Sequence, residues 1–360
     1  DVTKVKEKEF KATFEIKGKA LYGQIPFAIR MMKEILTASK LDDEKRLKEI
    51  LSMTKTRLQD RFLSVGHSAA ALRAMSYKSP ISKFKDTTNG IEYYQNIREM
   101  EEHFDEKKEE IISGLKALSE LLFRKGNVMI SYTASKEGLA VLEEEIGSLK
   151  EALYPERTPE SRCILHCEKK NEGFKTSSKV QFAAKAGNFI DAGEEYNGAL
   201  QILKVIMSYE YLWINIRVKG GAYGCMSNFN RIGEGYFVSY RDPNLGRTLE
   251  IYDGVPEYLE NFTVSERDMT KYIIGTISNI DQPMTPATKG DRSMNLYMNH
   301  VSAEMIRKER EQILTANQED IRALAGVARA VLANDQICVI GNEAMIEEEK
   351  ELFMTVENLF

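Results

Sequence analysis

Apolar positions recur with two different periods along the 360-residue chain, and the changes of period mark out its elements. Residues 9–19 alternate, with Phe10, Ala12, Phe14 and Ile16 set against charged neighbours, which predicts a half-buried strand. Residues 25–38 switch to helical spacing through Ile29, Met32, Ile35 and Leu36. Residues 42–62 repeat that spacing through Leu47, Ile50, Leu51, Met53, Thr54 and Leu58, with Asp42 or Asp43 placed to cap the helix. The small apolar run 67–75 reads as the start of a further helix, and 92–123 as two helices. Residues 127–133 read as a strand and 137–153 as an amphipathic helix.

Over 154–172 the texture changes to Pro155, Pro159, many charges and few large apolar residues, which predicts a linker with one short strand at 163–167. Order then begins again. Residues 179–185 form a strand pattern, and 194–214 a helix with Leu200, Leu203 and Met207 on its core face. Residues 223–230 and 235–240 read as antiparallel strands joined by a turn holding Arg231 and Gly233. Helices are predicted near 245–260, 265–279, 292–299, 303–314 and 318–332, followed by a strand at 336–341 and a short closing helix. Both halves run strand, helix, helical tract, strand and helix, a weak internal repeat of roughly 170–180 residues. The expected fold is α+β, with two similar domains, each an antiparallel sheet with helices packed on one face. The expected boundaries are 1–155 for the first domain, 156–178 for the linker and 179–360 for the second domain.

Composition narrows the class. An apolar fraction of 42% supports sizeable cores, and the formal net charge of −5 argues against nucleic acid or an anionic membrane as main partners. No apolar run reaches the roughly 18 residues that a spanning helix needs. No charged-then-apolar leader opens the chain, which points to a bacterial cytoplasm or an organelle matrix. The first residue is Asp1 rather than Met, so the chain reads as a processed product or a fragment. Four cysteines, Cys163, Cys167, Cys225 and Cys338, are too few for a disulfide scaffold. Cys163, His166 and Cys167 could form a metal clip. A zinc site needs about four ligands, however, and no second cluster exists. A strand with Cys163, Leu165 and Cys167 on one face is the plainer reading. The charged run 101–110 is a solvated helix face, and Met31, Met32, Met294 and Met298 are core filler.

The informative stretch is Arg217-Val218-Lys219-Gly220-Gly221-Ala222-Tyr223-Gly224, followed by Ser239-Tyr240-Arg241-Asp242-Pro243-Asn244. It lacks the Lys-Ser/Thr of a phosphate loop and the spacing of a dinucleotide loop. With Asn171-Glu172-Gly173-Phe174 upstream, it resembles the last domain of presequence proteases, in the insulinase and pitrilysin superfamily of zinc metallopeptidases. The tract from Gly66-His67 to Tyr77, and Asn89-Gly90-Ile91-Glu92-Tyr93-Tyr94, resemble the preceding domain of the same family. The resemblance covers nearly the whole chain, specifically in the second half and diffusely in the first.

The resemblance implies a clamshell. Its amino-terminal half carries zinc on His-x-x-Glu-His, and its carboxy-terminal half closes over the peptide without that motif. In this chain no two of His67, His103, His166 and His300 are four apart, so neither that motif nor His-Glu-x-x-His occurs. No metal site is expected here, and zinc is expected in the other half. By resemblance Arg217 and Tyr223 match the family's substrate-binding pair, with Gly220, Gly221 and Ala222 beside them at the substrate. A guanidinium and a phenol suit the oxyanion formed when a peptide carbonyl is attacked. The two glycines allow a sharp turn and close approach of a peptide backbone.

The ordinary structural alternatives are a helix C-terminal cation for Arg217 and a strand aromatic for Tyr223. Asp242-Pro243-Asn244 reads as a turn with Asn244 as an N-cap and Arg241 paired with Asp242 or another carboxylate. The implied function is the half of a zinc metalloendopeptidase that closes the chamber on unstructured peptides, inactive without the zinc-bearing amino-terminal half. That partner would be part of the same polypeptide or a separate subunit. The alternatives are a non-catalytic subunit of a processing-peptidase-like complex and a stand-alone peptide-binding module.

Overall fold

A computed structural model describes the backbone of residues 2–6, 9–155 and 164–360, with side chains from residue 10 onward. In chain order the strands are β1 (Val2–Lys6), β2 (Glu9–Ala12), β3 (Glu172–Thr176), β4 (Phe182–Asn188), β5 (Gly224–Phe229), β6 (Glu234–Tyr240), β7 (Gln336–Asn342) and β8 (Thr355–Asn358). The helices that matter below are α1 (Ile25–Ala38), α2 (Glu44–Ser76), α3 (Pro80–Asn89), α4 (Lys136–Glu151), α5 (Ala199–Tyr209), α6 (Gly246–Asp253) and α7 (Ala325–Ala333). Two compact units form, each from separated stretches of chain. One comprises Asp1–Lys55, Gln95–Ile164 and Pro283–His300; the other comprises Thr56–Tyr94, Leu165–Gln282 and Val301–Phe360.

In the first unit β1 and β2 pair antiparallel, and these are its only strands among the described residues. The strand expected over 9–19 is therefore short, and the one expected over 127–133 is not formed. Lys125–Asn127 makes a single 3-10 turn, and residues 128–133 find no strand to pair with. The α1 helix starts with Pro26 in its first turn, where a missing N–H costs nothing. Its Ile25 and Ile29 bury against Leu142 and Leu149 of α4.

The second unit is built on a six-stranded sheet of order β5-β6-β4-β7-β3-β8. The α+β class holds, with two refinements. Pairing is antiparallel from β5 to β7 and parallel at β7–β3 and β3–β8, so the sheet is mixed. Helices cover both of its faces rather than one. The strand expected at 163–167 is not there: Cys163 lies outside the described residues, and residues 164–167 carry no regular structure. The inner strand is Glu172–Thr176 instead, flanked by β7 and β8.

The first face carries Ala183, Phe237, Ile337 and Val339, which pack with Leu200, Leu203, Ile206 and Met207 of α5 and Val331 of α7. All of these are buried and apolar, so this side is held by area removed from water. The second face carries Glu172, Phe174, Phe182, Cys338 and Tyr240, and it meets the last part of α2. That helix was expected as two. It runs as one 33-residue element broken only at Val65, where φ is −132° and ψ is 36°. Gly66 follows the break. A Cβ there would lie 2.5 Å from the Phe182 ring, so the close approach of helix to sheet requires glycine.

A buried ion network fixes this contact. Arg73 donates to both oxygens of Glu172 at 2.6 and 2.9 Å and to Asp86 at 2.6 Å. The Tyr77 hydroxyl donates to Glu172 at 2.9 Å. Burial pushes the Asp86 carboxyl up while Arg73 draws it down, and the net direction is upward. Removing the guanidinium would leave two carboxylates in a dry site, a change that costs about 3–5 kcal/mol in comparable cases.

Candidate active-site face

The candidate residues lie where the chain passes from α5 to β5. After α5 ends at Tyr209, residues Trp213–Val218 form a π-helix. The wider turn shows in Lys219 N–H donating to the Ile214 carbonyl at 2.9 Å. Such segments are uncommon and often mark functional sites. Here it brings the Arg217 guanidinium to 4.2 Å from the centre of the Trp213 ring. The same guanidinium lies 5.4 Å from the Tyr223 ring centre, and its Nη1 donates to the Tyr223 carbonyl at 2.6 Å. Arg217 and Tyr223 are thus brought together. Arg217 also occupies the last turn of its helix, so the structural and functional readings describe one arrangement.

The intervening residues explain the turn. Gly221 has φ 80°, a conformation that favours glycine. A Cβ on Gly220 would lie 2.5 Å from the Ile216 carbonyl oxygen, so the turn at this helix end requires glycine. Ala222 is buried in the apolar core, and its N–H donates to the Ile216 carbonyl at 3.1 Å. Tyr223 is 64% exposed, and its hydroxyl makes no hydrogen bond to a described residue. It is the free donor of the group. Its backbone N–H bonds the Tyr240 carbonyl at 3.1 Å, tying it to the end of β6.

Tyr240 supports the ring of Tyr223 from behind. Their ring centres are 5.6 Å apart in an edge-to-face arrangement. On other sides Tyr240 meets His67 at 4.9 Å and Phe182 at 5.6 Å. Its hydroxyl donates to the Ser64 carbonyl at 3.1 Å, next to the break in α2 at Val65. The helix break thus supplies an acceptor that anchors Tyr240. Sequence reasoning passed over Tyr240, His67 and Trp213 as site residues; Trp213, the single tryptophan, was the available signal.

The Ser239–Asn244 segment differs from expectation in two ways. Asp242 does not pair with Arg241. It is fully buried, accepts from Thr248 Oγ1 at 2.7 Å and from the Asn244 backbone N–H at 2.9 Å. Asn244 is not an N-cap, since α6 begins two residues later with Leu245 at its cap. Its side-chain amide instead donates to the Gly220 carbonyl at 2.7 Å, coupling this turn to the Arg217–Tyr223 loop.

Among the described residues, neither a reactive thiol nor a metal cluster accompanies these groups. Burial pushes the Cys225 thiol up to about 12 and raises Cys338 as well. No three of the described His, Cys, Asp and Glu side chains converge as metal ligands. His67 is partly buried against the rings of Tyr240 and Phe182. Burial lowers its pKa, and its Nδ1 has no hydrogen-bond partner among the described residues. No described helix is long and apolar enough to cross a membrane.

Comparison with known proteins shows what the chain is similar to. Residues 171–343 match the PreP C-terminal domain, and residues 2–100 match the family associated with M16 peptidases of subfamily C. The chain is 38% identical to Protein HypA of Clostridium perfringens over 98% of its own length and 36% of that protein's. It is 30% identical to presequence protease 1, chloroplastic/mitochondrial, of Arabidopsis thaliana over 91% of its length and 31% of that protein's. The chain therefore spans about a third of the length of these relatives. Among solved structures, the peptidase M16 inactive domain from Pseudomonas fluorescens superposes with a TM-score of 0.55 at 14% identity, covering 88% of this chain and 74% of that one. Pitrilysin superposes at 0.53 and 12% identity, covering 88% of this chain and 33% of that one. The chain is thus similar over residues 171–343 to the PreP C-terminal domain, and along most of its length to part of a presequence protease.

Proposed function

We propose that this chain, as the carboxy-terminal part of a presequence-protease-type peptidase, closes the chamber of a zinc metalloendopeptidase acting on unstructured peptides. The observation that carries the reading is the pairing of an exposed, unpartnered Tyr223 hydroxyl with a guanidinium held at its own backbone. Both groups present donors, and neither is engaged by a carboxylate among the described residues. That suits the oxygen of a peptide carbonyl as it gains negative charge. A guanidinium carries a permanent positive charge suited to that oxygen. The Trp213 ring, the Tyr223 carbonyl and the Asn244 bond to Gly220 hold this pair in place before a substrate arrives. Gly221 is the one member of the glycine pair that leaves backbone open to an approaching peptide; Gly220 and Ala222 act through the turn they make.

The resemblance assigns zinc and the water-activating carboxylate to a separate amino-terminal half, and this sequence has no His-x-x-Glu-His of its own. That half, an unstructured peptide and this chain are the three components of the reading. The test mixes this chain with an unstructured peptide of about 20–30 residues, with and without a zinc-bearing half, and follows cleavage by mass spectrometry; that length engages an extended binding mode. Cleavage only when both halves are present is the expected result. Zinc-dependent, chelator-sensitive cleavage by this chain alone would reverse the division of labour.

A further inference from the structure

One cation at this face is held in a strained backbone and has no counter-charge among the described residues. Arg241 directly follows β6 and has φ 50°, in the left-handed region that residues with a Cβ rarely enter. The strain is imposed from both sides. Gln181 and Asp242 exchange backbone hydrogen bonds of 2.7 and 2.9 Å, and the Tyr223 N–H reaches the Arg241 carbonyl at 3.3 Å. The neighbouring carboxylate is withdrawn, since Asp242 is buried and committed to Thr248 and Asn244. The Arg241 side chain is exposed, with its guanidinium 5.5 Å from the Tyr240 ring centre. It makes no hydrogen bond or ion pair with any described residue. A guanidinium over an aromatic ring is oriented by its face and keeps its edge donors free.

These facts arrange two arginines about one tyrosine pair. Arg217 lies over Tyr223, Arg241 lies over Tyr240, and the two rings meet edge to face. Arg217 has one donor committed to the Tyr223 carbonyl, whereas Arg241 has its whole fork available. A free, oriented fork matches a carboxylate in bidentate fashion. We propose that Arg241 reads a carboxylate on the bound peptide, either an acidic side chain or the terminal carboxylate. The inference rests on the reading of Arg217 and Tyr223 as peptide-binding residues and adds a selectivity to it.

The single tryptophan makes this measurable on the full chain by itself. Trp213 lies against Arg217, so its fluorescence reports occupancy of the site. The chain is titrated with extended peptides of about ten residues, a length suited to strand-like binding. The set contains internal Glu against Gln, and a free against an amidated carboxy terminus. The wild-type chain should bind one carboxylate form about tenfold more tightly than its neutral counterpart, the effect of one charge-assisted hydrogen-bonded pair. The preferred member of each pair identifies the source of the carboxylate. Arg241→Gln should abolish the preference and Arg241→Lys should retain part of it. Arg241→Asn, which tolerates the left-handed backbone, should also abolish it without disturbing the fold. Equal binding of charged and neutral peptides, or a preference that survives in Arg241→Gln, would overturn the inference alone. The absence of any fluorescence response to every peptide would overturn the peptide-binding reading and this inference with it.

Discussion

The two faces of the six-stranded sheet are buried by different means. On the first, Phe237, Ala183 and Val339 meet the apolar sides of α5 and α7, and the main polar interruption is Lys185, paired with Asp253 and Asp335. On the second, Arg73, Glu172, Asp86 and Tyr77 form a hydrogen-bonded network at β3, and His67, Phe182 and Tyr240 form an aromatic group at β6. Burial of apolar area is non-directional, so the first face stabilises the fold without specifying much. Ion pairs and edge-to-face rings are directional. The second face therefore sets where the broken part of α2 lies against the sheet, and through Tyr240 it sets where Tyr223 stands.

Truncations should separate these roles. Arg73→Ala should destabilise the protein by about 3–5 kcal/mol, because two buried carboxylates lose their counter-charge. Phe237→Ala should cost a similar amount, about 3–5 kcal/mol, through the cavity it leaves. Urea unfolding measures both. The comparison predicts that Phe237→Ala, while still folded, leaves the Trp213 environment unchanged, whereas Arg73→Ala shifts it through α2 and Tyr240. Identical fluorescence in the two variants would remove the directional role given to the second face.

Smaller changes sharpen the picture at the site. Asn244→Ala should cost about 1 kcal/mol, the worth of one hydrogen bond, and should weaken peptide binding by loosening the Gly220 turn. Arg241→Gly should do the reverse to stability, raising it by about 1 kcal/mol as the left-handed strain is relieved, while carboxylate selectivity is lost. A melting temperature that falls in Arg241→Gly would show that the arginine side chain stabilises the fold.

The smallest effect is a dependence on acid. Burial works to raise the Asp335 carboxyl, but the hydrogen bond and charge of Lys185 outweigh it, so its pKa is lowered. A depressed carboxylate contributes stability above its unfolded value of about 4, and that contribution is lost as pH falls through the lower folded value. Stability measured from about pH 5 to pH 3 should therefore fall less steeply in Asp335→Asn than in the wild type. Asparagine keeps the positive φ of 49° at this position accessible, so the substitution isolates the charge. Equal slopes would remove this ion pair from the acid response.

Much of this was legible in the sequence where periodicity was strong. Residues 25–38 gave α1 to the residue, and the β5–β6 hairpin fell within a residue or so of expectation. The second unit's β3 was hidden because its first residue is a glutamate, and only an arginine 99 positions earlier makes that burial tolerable. Residues 127–133 had strand composition, but a strand needs a partner that local pattern cannot supply. Gly220 and Gly221 were both read as turn residues beside the substrate, and the turn itself has a local cause: a positive φ at Gly221 and the Ile216 carbonyl close to Gly220. The motif placed Arg217 and Tyr223 together. The support behind them, Tyr240 with Ser64 and His67, comes from residues more than 170 positions apart and has no local signature.

The central claim is that Tyr223 acts on the reacting carbonyl rather than on the fold. It is tested most directly by Tyr223→Phe in the full-length peptidase, with kcat and KM measured separately on an unstructured peptide. Loss of one oxyanion donor should lower kcat by roughly 10²–10³ with little change in KM. An unchanged kcat would contradict the account and leave Tyr223 an ordinary aromatic at the end of a strand.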